Sequence, residues 1–388
     1  MFYQLPPVGN AIRLSNDAQS PASLNRYFSP YQARYYASGT AALAAAISAA
    51  LQLKHTDHPE VILPAYGCPD LVSAALFAGV KPVLVDLDPD RPWMSLDALS
   101  SSISARTVAI IAASLFGISE RIAELRPIAE QAGAVLIEDS AQAFPHGHET
   151  GFWQAELVVL SFGRGKPVSM LGGGAVLYRG PGLAGYLPSG IEPGSGIRSR
   201  QLRNRLKTQL YNLMISPWLY WLPQNVPFLH LGETRYHPLA EIEAIDSARL
   251  GTLAANIAAY QQHDLAVQDA LAAVIDGCCS ISSKLKDLPR LCSVSPQRRL
   301  LRYPLLVDAG VRDTLYHKLL NAGLGPSLMY PATLPGIPGL QNLLDGQGPF
   351  PAAEMFAASI LTLPTHRGVR ARDIVKMRKL LELSDEND

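Results

Sequence analysis

Lys166 is the first residue in this chain whose surroundings suggest chemistry. It lies in ELVVLSFGRGKPVSMLGGGAVLY, residues 156–178, where a glycine-rich loop joins two apolar runs of strand length. A lysine that follows glycine is commonly a solvated turn residue, because glycine supplies the backbone freedom of a turn. Here the flanking runs Leu157–Leu160 and Ala175–Tyr178 carry no charge and read as buried strands. A lysine between them is drawn toward low dielectric, where desolvation disfavours the ammonium and favours a free amine able to form a Schiff base with an aldehyde. A phosphate-binding loop of the GxxxxGK[ST] type is excluded, because Pro167 follows the lysine and the glycine spacing differs.

Two further groups share that chemistry. Ser38-Gly39-Thr40 precedes the helix-forming run AALAAAISAALQL, Ala41–Leu53. The tripeptide is either an ordinary cap or a phosphate seat, since free N–H groups and the positive end of the helix dipole attract an anion there. Glu138-Asp139-Ser140-Ala141-Gln142 follows the apolar run AVLI, and Asp139 stands 27 residues before Lys166. A carboxylate at a strand end is often only a cap. An amine, an acid and a phosphate seat together fit pyridoxal phosphate, which offers an aldehyde, a ring nitrogen and a phosphate. An ionised Asp139 beside the ring nitrogen would keep it protonated, and the protonated ring is an electron sink.

Positioning such groups needs an organised sheet, and the pattern supplies one. Residues 1–37 read as an extended arm with one or two short elements. Strands at Glu60–Leu63, Lys81–Val85, Arg106–Ala112 and Ala134–Ile137 alternate with helices at Asp70–Ala78, Leu96–Ser104 and Ile122–Ala132. This βα alternation predicts a mostly parallel sheet with helices on both faces and ligands beyond the carboxyl ends of its strands. Gly39, Thr40, Pro64-Ala65-Tyr66, Asp139 and Lys166 can converge there. A long helical pattern from Leu239 to about Ile275, broken mainly at Gly251, reads as a connector. Leu300–Val307, Arg312–Ala322, Leu361–Leu363 and Ala371–Leu381 then read as strand, helix, strand and helix.

With 388 residues, 48% hydrophobic and 17% charged, the chain can bury a large core and is expected to form two domains, 1–240 and 241–388. The 33 basic and 33 acidic residues balance, so no basic footprint for nucleic acid exists. Four cysteines, Cys68, Cys278, Cys279 and Cys292, form no CxxC pair, which favours a reducing compartment. The opening MFYQLPPVGNAIRL lacks the apolar run of a signal peptide, so a cytoplasmic enzyme is expected. The pairs His55/His58 and His146/His148 lack companions at ligand spacing, and no metal is expected. The segment 198–232 joins the basic cluster RSRQLRNRLK to an aromatic stretch with Trp218, Tyr220 and Trp221. It reads as an insertion at a subunit interface, broken into short pieces by Pro217, Pro223 and Pro227, or as a membrane-surface contact.

Five stretches in order, SGTAAL (38–43), VILPAYGCPDLVSAALFAGVKPVLVDLD (61–88), EDSAQA (138–143), SFGRGK (161–166) and GGGAVLY (172–178), resemble the DegT/StrS-type sugar aminotransferases. MYPATLP (329–335) and LTLPTH (361–366) are similar to that family's C-terminal landmarks. The resemblance implies an α/β, fold-type I pyridoxal-phosphate transferase, with a mostly parallel sheet flanked by helices and a smaller C-terminal α+β domain. It also implies a homodimer with the site at the subunit interface. Lys166 would carry the cofactor and shuttle the proton, Asp139 would pair with the ring nitrogen, and Gln142 would lie near the ring hydroxyl. Ser161, Gly39 and Thr40 would hold the phosphate. The reaction implied is transfer of an amino group from an amino acid, usually glutamate, to a nucleotide-linked keto sugar, as in polysaccharide or glycan biosynthesis. Lys166 excludes the dehydratase branch, in which histidine stands at this place.

The chain departs from the family pattern at several positions. Gly163 replaces a common histidine, and Gly172-Gly173-Gly174 stands where GEGG is usual. Cys68 occupies the place of the aromatic that stacks on the ring, with Tyr66 two residues earlier. His237, in ETRYHPLAEI, is the nearest counterpart of an asparagine that reaches the partner subunit's phosphate. Two alternatives follow from these departures: a lyase or other amino-acid enzyme on the same fold, and a cofactor-binding regulator or scaffold with little catalysis.

Overall fold

A computed structural model describes residues 3–15, 20–147, 149, 151–192, 197–224 and 234–383. Seven strands form the large sheet: β1 (Gln32–Tyr36), β2 (Glu60–Pro64), β3 (Lys81–Val85), β4 (Thr107–Ala113), β5 (Val135–Asp139), β6 (Leu157–Ser161) and β7 (Gly174–Tyr178). Their order is β1-β7-β6-β5-β4-β2-β3, with β6, β5, β4, β2 and β3 running parallel and β7 reversed, antiparallel to both β6 and the edge strand β1. Every residue of β2, β4 and β7 is buried. These strands lack the alternation of a half-exposed sheet because layers of chain cover both faces.

The helix Gly39–Leu53 packs against β6 and β7 through Ala41, Ala42, Ala45, Ala46 and Ala49, all within the core. Alanine has the highest helix propensity and no bulk beyond Cβ, so this helix can lie close to the sheet. Ser38 caps it, its hydroxyl accepting the Ala41 N–H at 3.0 Å. The helix Ile122–Ala132 stops at Gly133, whose φ of 60° is the left-handed conformation glycine adopts without strain.

A second sheet of three antiparallel strands, ordered β10-β9-β8, is built from β8 (Leu285–Asp287), β9 (Arg302–Val307) and β10 (Ile360–Pro364). Helices Ala309–Asn321, Pro351–Ser359 and Ala371–Leu381 accompany it. The connector expected over Leu239–Ile275 is three helices, Ser247–Leu250, Leu253–Gln261 and Ala266–Cys279, and not one. Its first residues stay extended because β1 recruits them: Ala37 N–H donates to the Glu243 carbonyl at 2.9 Å and Ala244 bridges Tyr36.

The insertion also differs from expectation. Its basic cluster lies in one 18-residue helix, Ile197–Met214, which ends three residues before Pro217; a short helix, Trp221–Gln224, follows. Pro227 lies outside the described residues. No helix among the described residues is long and apolar enough to cross a membrane.

Candidate active site

The parallel strands deliver their carboxyl ends to one place. β5 ends on Asp139, β6 ends on Ser161, and Lys166 sits on the turn that leaves β6. Register pairs Asp139 with Val159 and Ser161 with Gly174, so acid, hydroxyl and loop share one edge.

The phosphate seat is a close approach of backbone to side chain. A Cβ on Gly39 would lie 2.6 Å from both Cβ and Oγ of Ser161, and one on Gly174 would lie 2.4 Å from the Ser38 carbonyl oxygen. Neither distance is tolerable, so glycine at both positions lets the helix end descend onto β6 and β7. The first N–H groups of the helix, at Gly39 and Thr40, have no intrahelical partner, and Gly39 lies directly against Ser161. Gly163 N–H reaches the Ser161 hydroxyl at 3.5 Å.

One oxygen of Asp139, Oδ1, accepts the Ala141 N–H at 3.0 Å; Oδ2 has no protein partner among the described residues. Burial pushes the Asp139 carboxyl above its ordinary pKa, and Asp70 adds to the rise. The Ala141 N–H and the Lys166 charge oppose it. The Lys166 charge also acts on Cys68, whose thiol burial lifts to about 12. Lys166 is thus near both residues. It is part-buried, while Asp139 and Cys68 take the effect of burial on their own pKa values. The loop carries the lysine past the ends of the strands into the site.

Gln142 is 4% exposed and fully engaged: its Oε1 accepts the Phe116 N–H at 3.1 Å and its Nε2 donates to the Tyr330 hydroxyl at 2.9 Å. That hydroxyl also meets the Cys68 thiol. Tyr330 and Asp70 belong to this cluster but were not picked out from sequence. The only available signal for Tyr330 was its place in the MYPATLP landmark.

Tyr66 does not face the site. It is fully buried, its hydroxyl meets the Tyr330 backbone at 3.3 Å, and its ring packs edge-on against Tyr330 and Phe356 at 5.5 and 5.1 Å. It braces Tyr330 from behind. His237 also stands apart from this chain's cluster. It is exposed, and its carbonyl is held by the Ser73 hydroxyl at 2.9 Å. Among the described residues no group of three His, Cys, Asp or Glu is arranged to hold a metal; His148 is not one of those residues. Grooves of about 720 Å³, beside Tyr236 and Met329, and about 440 Å³, beside Met170 and Arg249, lie to the sides of the cluster.

A mostly parallel sheet with a strand-end acid, a lysine on the next loop and a glycine-lined helix end is the architecture of fold-type I transferases. The model of the DegT/DnrJ/EryC1/StrS aminotransferase family matches residues 22–206 of this chain. Aminotransferases of this family depend on pyridoxal phosphate. Over 130 residues the chain is 35% identical to the L-glutamine:2-deoxy-scyllo-inosose aminotransferase of Streptomyces kanamyceticus; the match spans 32% of this chain and 30% of that relative's length. It is 27% identical to the erythromycin biosynthesis sensory transduction protein EryC1 of Saccharopolyspora erythraea over 79% of this chain and 73% of that one. The crystal structure of S. venezuelae DesV in complex with a ketimine intermediate shares the fold, with TM-score 0.68 and 21% identity over 93% of this chain and 87% of that one.

Proposed function

We propose that this chain is a pyridoxal-phosphate aminotransferase that moves an amino group from an amino acid to a keto sugar. One observation carries the reading: Lys166 lies close enough to act on Asp139, which keeps one oxygen free of protein partners, beside a seat that a single methyl group would fill. These features fit the cofactor's three handles.

Pyridoxal phosphate, when bound, supplies an aldehyde through which amino groups are exchanged and a ring that stores electrons. The N–H groups of Gly39 and Thr40 and the Ser161 hydroxyl bind its phosphate. Asp139 Oδ2 holds the proton on the ring nitrogen. Lys166 Nζ would hold the cofactor's aldehyde and would carry the proton that leaves the donor's α-carbon. Cys68 takes the place of the stacking aromatic, and with its pKa lifted to about 12 it presents an uncharged thiol at neutral pH. Gln142 and Tyr66 fix Tyr330 between them and so shape the wall of the site.

The donor is glutamate or glutamine, and the acceptor is a cyclic ketone, as in the relative named for 2-deoxy-scyllo-inosose. The further reading is a nucleotide-linked keto sugar used in polysaccharide or glycan biosynthesis by a cytoplasmic homodimer. In it, the exposed His237 reaches the phosphate of the second copy, and the chain divides into domains near residue 240.

The test is spectroscopic. Protein loaded with cofactor should absorb in the visible, and L-glutamate or L-glutamine should bleach that band by converting the cofactor to its amine form. Keto sugars should restore it, and Lys166→Ala should abolish the cycle. Retained turnover in Lys166→Ala would sink the mechanism. Ammonia or aldehyde release from an amino acid alone would move the reading to a lyase, and binding with no spectral response to any amino acid would move it to a regulator.

A further inference from the structure

Behind the lysine loop is a smaller cavity, of about 140 Å³, that the proposed reaction does not use. Its wall brings together Ser169, from the segment after Lys166, with Arg13 of the N-terminal arm, Asn256, His263, Arg299 and Arg367. The side chains that build it are deeply placed: Ser169 is 5% exposed, Asn256 5%, Arg299 6% and His263 7%.

The charges around this cavity have one sign. Arg299 lies over the Tyr260 ring, 4.0 Å from its centroid, and donates to the Tyr260 carbonyl at 2.6 Å. Arg367 donates to the Gln262 carbonyl at 2.7 Å. Among the described residues no carboxylate pairs with Arg13, Arg299 or Arg367. Burial and the neighbouring Arg367 both weaken the hold of Arg299 on its proton, opposed by Tyr260 and by the exposed Asp264. Arg299 is buried while Arg13 and Arg367 stand exposed at the rim, and a buried guanidinium without a counter-charge is unfavourable unless an anion joins it.

His263 sets the kind of anion. Its Nδ1 is 2.6 Å from the Asp264 carbonyl oxygen, which can only accept, so the proton is on Nδ1. Its Nε2 is therefore a lone-pair acceptor, and it is buried with no partner among the described residues. Burial, reinforced by Arg299, keeps the ring neutral by lowering its pKa to about 4. A ligand satisfying the three arginines and Nε2 must carry negative oxygens and also an O–H. The volume of about 140 Å³ equals roughly four or five waters, enough for one tetrahedral oxyanion and too small for a nucleotide.

We propose that this cavity is a binding site for one protonated phosphate group, separate from the Gly39 seat. The arginines bind its oxygens, and its O–H donates to His263 Nε2. Ser169 couples the site to the lysine loop, because its hydroxyl donates to the Gly163 carbonyl at 2.9 Å. The proposal does not rest on the amino-transfer reading.

The test is calorimetric titration of the full-length protein, saturated with pyridoxal phosphate, with inorganic phosphate and in a parallel arm with glucose 1-phosphate. One phosphate per chain should bind. The double variant Arg13→Ala/Arg367→Ala, which removes two exposed side chains, should weaken that binding at least about tenfold, or 1.4 kcal/mol. The same phosphate should shift the His263 Nε2 resonance in nitrogen NMR. Tighter binding of glucose 1-phosphate would assign the site to a phosphorylated sugar, and tighter binding of inorganic phosphate to the free ion. No binding in either arm, or equal binding by the double variant, overturns the proposal. Gly39→Ala serves as the control for the other seat and should leave this titration unchanged.

Discussion

The Gln142 amide joins the large sheet to a residue 188 positions away, with Nε2 donating to the Tyr330 hydroxyl at 2.9 Å while Oε1 accepts the Phe116 N–H at 3.1 Å. All three groups are buried, so no water can take over a lost partner. Replacing Gln142 by leucine leaves the Phe116 N–H unsatisfied, at about 1–3 kcal/mol, and leaves the Tyr330 hydroxyl with the Cys68 thiol alone. The expected result in urea denaturation is a lower midpoint with an unchanged slope. An unshifted midpoint would mean that the Phe116 N–H finds another partner.

The Gly39 seat can be tested with two substitutions. Alanine is the better helix former by up to ~1 kcal/mol, but its Cβ would lie 2.6 Å from Ser161. Gly39→Ala should therefore fail to stabilise the chain and should raise the cofactor's dissociation constant by about tenfold or more. Adding Ser161→Gly removes the overlapping atoms. Thermal stability should recover in the double variant while cofactor affinity stays low, because the hydroxyl has gone too. Equilibrium dialysis separates the two effects, and full recovery of affinity would show that Ser161 contributes only bulk.

How much of this was legible in the sequence depended on whether a signal was local. The strand Lys81–Val85 and the helices Ile122–Ala132 and Ala371–Leu381 have the ends that their own residues predict. Gly133 is the reason in one case, a left-handed stop encoded at a single position. Residues 239–246 failed the same reading because their hydrogen bonds go to Ala37 and Ile191, contacts no local pattern reports. In the site, Lys166, Asp139 and Gly39 were legible because strand ends and glycines mark them. Tyr66 lies two residues from Cys68 in the bend that follows β2, and its side chain packs into the core beside Tyr330, a long-range contact that no local pattern reports. The cavity at His263 needs five separated segments and left no sequence signature.

Asp139→Asn tests the proposed hold on the ring nitrogen. The amide keeps the shape and can still accept the Ala141 N–H, so folding and cofactor binding should survive. Without the carboxylate the ring nitrogen has no counter-charge, and turnover should fall by about 10²–10³-fold, the scale for losing one preorganised electrostatic partner. The visible spectrum should show cofactor present but slow to respond to glutamate. Turnover near the parent value would remove Asp139 from the mechanism.

Glu138, beside Asp139, should govern part of the pH dependence of stability. It is fully buried, with Oε2 accepting the Gln154 N–H at 2.9 Å and Oε1 unpartnered. Burial lifts its pKa from 4.5 to about 7, against the opposing N–H groups of Gln154 and Ala155. A raised carboxyl binds its proton more tightly in the folded chain than in the unfolded one. Its contribution is therefore complete below the unfolded pKa of 4.5 and is lost as pH climbs through about 7. His263 and His366, both lowered to about 4, act in the opposite sense: their contribution is complete above 6.5 and is lost as pH falls toward 4. They are present in parent and variant alike and cancel in a difference. Glu138→Gln cannot ionise, so its urea midpoint should decline less than the parent's between pH 4.5 and about 7. The absolute midpoint of the variant is not diagnostic, since the new amide N–H₂ also needs a partner; the slope is. Parallel profiles across that window would show that Glu138 keeps an ordinary carboxylate's affinity for its proton despite its burial.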